Sequence, residues 1–143
     1  AQAVEVEVDT RSGKVQVLKA IVANDVGKIL NPLGLQGQIE GGVVMGLGHA
    51  LTENFILEDG IVKTERLGRY RVPKIDETPE ITAITVEHPT GEGPYGAKGV
   101  GELVSMPTIP AITNAIYNAV GVRIDHLPVK KGWLQDQINQ KDE

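Results

Sequence analysis

Residues 91–102 read Gly91-Glu92-Gly93-Pro94-Tyr95-Gly96-Ala97-Lys98-Gly99-Val100-Gly101-Glu102, and five glycines with a proline keep any regular element from running through them. The chain must turn here, ending the strand before it and starting a helix afresh after it. So few side chains shield this backbone that a bulky ligand can approach it closely. Glu102 closes the run and sets one carboxylate just ahead of a predicted helix. Composition alone leaves two readings open, a ligand cradle with an acid/base candidate attached and a plain connector with an exposed glutamate.

Upstream, Val4, Val6 and Val8 alternate with Glu5, Glu7 and Asp9, the period of a half-buried strand. Arg11-Ser12-Gly13-Lys14 supplies a turn before a second arm through Val15, Val17, Leu18 and residues 20–23, so an antiparallel hairpin is expected. It ends at Asn24-Asp25-Val26-Gly27, where Asp25 reads as a structural turn residue. Asn31-Pro32 reads as a stop, and the spacing after it predicts a helix over residues 35–54. Gly41, Gly42, Gly46 and Gly48 weaken that helix by on the order of 1 kcal/mol each, which implies a close approach to another element or a ligand. Gln38 would fall on its first turn, where free N–H groups favour electron-rich partners; a surface glutamine on a frayed turn explains it equally well.

Glu58-Asp59-Gly60 predicts a short hairpin, and residues 66–72 a loop or edge strand around Tyr70. Residues 73–79, bounded by Pro73 and Pro79, read as an exposed connector. Ile81, Ile84 and Val86 then mark a strand leading straight into the glycine run. After it, Ser105-Met106-Pro107 offers an N-cap and an early-helix proline. Ile109, Ile112, Ala115, Ile116 and Ala119 recur at helical spacing up to Gly121. Val122-Arg123-Ile124 reads as a final strand, and residues 130–143 as a polar tail that frays or forms a detached helix. The expected fold is α+β: mixed, largely antiparallel strands with two main packed helices in one domain over residues 1–129.

A chain of 143 residues can bury one core but is short for a redox enzyme with a large cofactor. A net charge of −5 with scattered Lys and Arg argues against a nucleic-acid surface. Without cysteine there is no disulfide, thiolate metal site or iron–sulfur ligand, so any such cluster must sit on a partner. No apolar run approaches the roughly 20 residues that cross a bilayer. His49, His88 and His126 are isolated and read as structural or surface residues, and no P-loop or Rossmann fingerprint is present.

Gly96-Ala97-Lys98-Gly99-Val100-Gly101-Glu102, preceded in order by Gly37-Gln38-Ile39-Glu40-Gly41-Gly42-Val43-Val44-Met45-Gly46-Leu47-Gly48, resembles the C-terminal part of the molybdopterin-binding subunit of the xanthine dehydrogenase and aldehyde oxidase family. Asn24-Asp25-Val26-Gly27, Asn31-Pro32, Arg69-Tyr70-Arg71-Val72-Pro73 and the stretch between Pro107 and Pro128 extend the resemblance to about Val129. It implies a molybdenum hydroxylase oxidising an N-heterocycle or an aldehyde with oxygen drawn from water. Glu102 matches the family's general base, a role that requires a carboxylate within hydrogen-bond reach of its proton. Gln38 matches a glutamine at the cofactor, while Gly99, Val100 and Gly101 would offer backbone groups to it; no protein ligand to the metal is expected. Lys98 reads either as a partner for an anionic group or as a structural or solvent-exposed lysine. Met45 stands where some relatives carry glutamine beside the metal, and the tail from Lys130 departs from the family pattern.

Family molybdenum subunits are several times longer, so the resemblance implies a split subunit or an excised piece, inactive alone. It further implies the remaining molybdenum-subunit segments as partners, iron–sulfur clusters and FAD on further subunits, an oligomer and a cytoplasmic setting. The rival reading is a non-catalytic assembly or scaffold fragment of such a complex.

Overall fold

Three strands and three helices carry the core in the computed structural model, which describes residues 1–141. β1 (Gln2–Asp9) and β2 (Lys14–Asp25) form the expected antiparallel hairpin, with a register shift between Glu5 and Val6. Its turn is tied by Asp9, whose carboxylate accepts from the Arg11 N–H (2.9 Å) and the Ser12 hydroxyl (2.6 Å). β5 (Glu80–Val86) adds to β2 in parallel, giving a mixed sheet of order β1-β2-β5. Among the described residues, no strand pairs with the outer edge of β5, and its Ile84 and Val86 are about half exposed.

α1 (Pro32–Leu51) lies on the sheet beside α3 (Ser105–Val120). Asn31-Pro32 starts α1 where a stop was expected. The Asn31 side chain accepts from the Gly34 N–H at 2.9 Å, and Pro32 occupies the first helical position, where a missing N–H costs nothing. Ile39 and Val43 enter a cluster with Ala20, Val22 and Val104. Leu47 and Ala50, a turn further on, join a second cluster with Val17, Ile112, Ile116 and Val122.

The expected short hairpin is β3 (Leu57–Glu58) paired with β4 (Ile61–Val62), with both Asp59 and Gly60 at positive φ. Leu67–Tyr70 is a single helical turn, α2, rather than an edge strand; the Arg71 N–H closes it on the Leu67 carbonyl. Residues 122–124 form no strand, because Val122 is drawn into the core and Arg123 lies over the Tyr117 ring at 3.7 Å instead of joining a ladder.

The tail does not fray or detach. Lys131–Lys141 forms α4, whose Leu134 and Ile138, one turn apart, are buried in the second cluster. Gly13 lies so close to the Lys131 carbonyl that no Cβ would fit, Gln135 donates to the Arg11 carbonyl, and the Lys141 ammonium donates to the Gly121 carbonyl at 3.1 Å. Asp142 and Glu143, the end of the expected tail, lie outside the described residues.

Candidate functional site

The connection from β5 to α3 contains the glycine run, and its first half is stitched to the end of β2. Gly27 pairs with Ala97 in an isolated bridge, the Lys28 N–H donates to the Gly96 carbonyl and the Lys98 N–H to the Val26 carbonyl, both at 3.0 Å. Gly27 and Gly96 hold φ of 64° and 81°, and a Cβ on Gly27 would strike the Gly96 carbonyl, so glycine is required at both. Side chains reinforce the seam. Lys98 Nζ lies 2.6 Å from Asp25 Oδ2, the Gly27 N–H donates to Asp25 Oδ1 at 3.1 Å, and Lys28 Nζ lies 3.1 Å from Glu87 Oε2. The Lys98 hydrogen bond first, and the Gly27 N–H second, hold the Asp25 carboxyl below its ordinary range. Lys28 first, and the Ile29 N–H second, do the same for Glu87.

The second half of the run is open. Gly99, Gly101 and Glu102 are exposed, Val100 is half-buried, and a Cβ on either glycine would meet nothing within 4 Å. The bow closes at Val104, which is fully buried; its carbonyl accepts from Gln2 Nε2 at 2.9 Å and from the Thr108 hydroxyl at 2.8 Å. Ser105, expected as an N-cap, is instead the first helical residue, and its hydroxyl donates to the Glu102 carbonyl at 3.0 Å. Among the described residues, no side chain bonds the Glu102 carboxylate.

Gln38 also moves relative to expectation. Because α1 begins at Pro32, Gln38 sits in the second turn, where its N–H is already taken up by the helix, so its exposed side-chain amide is what it can offer. Gly42 packs on Val104, where an added Cβ would come within 2.7 Å of the valine Cβ. Gly46 packs on Thr108, with the corresponding approach at 2.5 Å. The two helices therefore run side by side in the same direction, with the exposed Gln38 one turn before Gly42 in α1 and the exposed Glu102 two residues before Val104. Met45 is about half exposed on the same helix.

Two observations favour a polar group docking beside the glycine run. The backbone of residues 99–101 is unshielded, so its amides can be reached by a large planar ligand, and the two candidate side chains offer an uncharged donor–acceptor and a carboxylate. Gln2, whose Nε2 bonds the Val104 carbonyl, leaves Oε1 unpaired, an unmet polar atom of the kind that costs about 1–3 kcal/mol until satisfied. The residues fit one wall of a cofactor site. Among the described residues, no three His, Cys, Asp or Glu side chains group as a metal site. A hollow of about 500 Å³ opens toward the C-terminal end of α1, between Val15, Leu51, Arg71 and Lys130, and none of the candidate residues lines it.

Sequence reasoning did not pair Asp25 with Lys98, or Lys28 with Glu87. These partners are 73 and 59 residues apart and carry no local signal of each other.

Comparison with known proteins gives the class of this mixed sheet backed by two helices. The molybdopterin cofactor-binding domain model matches residues 1–79, and the chain belongs to that family. It is 35% identical over 138 residues to the xanthine dehydrogenase molybdenum-binding subunit of Escherichia coli O157:H7, covering 95% of this chain and 18% of that protein. It is 41% identical over 125 residues to the aldehyde oxidoreductase of Megalodesulfovibrio gigas, covering 87% of this chain and 14% of that protein. The crystal structure of the aldehyde oxidoreductase from Desulfovibrio desulfuricans ATCC 27774 superimposes with a TM-score of 0.84 at 40% identity, covering 92% of this chain and 14% of that one. The chain thus spans less than one fifth of these relatives' length. The α+β fold and the expected family are those of molybdenum hydroxylase molybdenum-binding domains. Among the described residues, no helix is long and apolar enough to cross a membrane.

Proposed function

We propose that this chain forms the glutamate-bearing wall of a molybdenum hydroxylase active site, acting on an N-heterocycle or an aldehyde with oxygen drawn from water. The observation that supports the reading is the packing of Gly42 on Val104, a contact that lies four residues after Gln38 in one element and two after Glu102 in the other. Bound there, a molybdopterin-type molybdenum cofactor would supply the redox chemistry and the activated oxygen. Glu102 accepts a proton from the oxygen nucleophile, a task suited to a carboxylate on a loop without competing side-chain bonds. The Gln38 amide and the backbone amides of Gly99, Val100 and Gly101 hold the cofactor, contributing hydrogen bonds without adding charge.

The rest of the site belongs to the remaining molybdenum-subunit segments, which enclose Glu102 and exclude water. Electrons leave through iron–sulfur and FAD-bearing partner subunits in a cytoplasmic oligomer. The test is Glu102→Gln in the complete assembled enzyme. Turnover is expected to fall by roughly 10²–10⁴-fold, the usual share of general-base catalysis, with molybdenum and pterin content unchanged. Normal turnover in that variant would remove the assignment, and molybdenum absent from the wild-type complex would leave the chain an assembly module.

A further inference from the structure

We propose that Asp25 and Lys98 form a positioning clamp for Glu102, fixing the upstream end of the bow that carries the carboxylate. The inference rests on the reading of Glu102 as the base. Residues 99–103 span from Lys98 to the buried Val104, and two of the five are exposed glycines on which an added Cβ would meet nothing within 4 Å. The Glu102 carbonyl accepts from the Ser105 N–H at 3.2 Å and from its hydroxyl at 3.0 Å, which ties the downstream half of the bow to α3. The stretch left free in φ and ψ is Gly99 and Val100, and its course is set by the Lys98 end.

The downstream point is secured by the burial of Val104 and the two hydrogen bonds to its carbonyl. The upstream point relies on the Lys98 N–H to Val26 bond, the Gly27–Ala97 bridge and the Lys98–Asp25 contact. Asp25 joins both sides of the seam, because one oxygen accepts from the Gly27 N–H and the other from Lys98 Nζ. Asp25 and Lys98 side chains are 41% and 29% exposed, and a pair so open to water adds little to global stability. Its expected effect is therefore local: removing it loosens the bow while the fold persists. This gives Lys98, four residues before the candidate base, a role that its sequence neighbours do not suggest.

The experiment uses the complete holoenzyme with Lys98→Met, Lys98→Arg and Asp25→Asn, the last keeping an acceptor for Gly27 while discarding the charge. A misaimed base by about 1 Å costs up to ~10²-fold. Lys98→Met and Asp25→Asn should lower kcat by about 10-fold with KM and thermal midpoint near wild type, and Lys98→Arg should recover most of it. Amide hydrogen exchange at residues 99–103 should speed up in the two impaired variants and remain slow in α1 and α3. Unchanged kcat and unchanged exchange in Lys98→Met would overturn the clamp. Glu102→Gln, measured alongside, separates the two claims: if it retains full turnover, the base assignment fails, and the exchange result alone decides whether the pair secures the bow.

Discussion

α1 and the glycine run, taken with its seam to the end of β2, each contain glycines of two kinds. Gly42, Gly46, Gly27 and Gly96 are explained within the chain, the first two by the approach of α3 and the others by the seam to β2. Gly37, Gly41, Gly99 and Gly101 are not, for a Cβ on any of them would enter open space at an ordinary φ. The first kind lets the helices and the seam close. The second weakens helix and loop without an internal return, and Gly37, Gly41, Gly99 and Gly101 flank Gln38 and Glu102 in sequence, which is where the proposed cofactor would meet bare backbone.

Substitution can break this contrast. Gly46→Val places methyl groups inside Thr108 and should destabilise the chain by about 3 kcal/mol, read as a lowered denaturation midpoint. If the midpoint holds, the α1–α3 contact is looser than described. Gly41→Ala should act with the opposite sign, stabilising α1 by roughly 0.5–1 kcal/mol in the chain alone while lowering cofactor retention in the assembled enzyme. A variant that is both stabler and fully loaded would show that Gly41 faces nothing.

The smallest effect expected is on pH. Asp25 and Glu87 in the seam, and Asp9 and Glu77 outside it, all have depressed folded-state pKa values. Their stabilisation is therefore present above the ordinary carboxylate range and is lost as pH falls through the folded values. Acid titration should leave stability flat from neutrality to about pH 5 and erode it below about 4, with hydrogen exchange rising at Gly27 and Ala97 as the seam takes up protons.

The elements read from local pattern were those whose cause is local. Valine alternation gave away β1, and Asp59-Gly60 the β3–β4 turn. The parallel pairing of β2 with β5 was not legible, since its strands are joined by no turn and begin 66 residues apart. Asn31-Pro32 was misread because a cap and a stop use the same residue types, and only the Gly34 contact separates them. α4 was hidden by its polar majority, although Leu134 and Ile138 at one-turn spacing were its signal. As for the site, local pattern offered Glu102 as an acid/base candidate and Gln38 as a first-turn amide, each beside a plainer reading that only the family resemblance set aside. The Gly42–Val104 contact between their elements is tertiary and carries no local signal.

The bare rim of β5 has a further consequence. Its seven residues include no proline or lysine and no bulge, which are common devices by which natural sheets turn away a stranger's backbone. Kept alone at high concentration, the polypeptide therefore offers a zipper to any extended peptide that meets it, and a lysine at Ile84 is the smallest edit that would jam it.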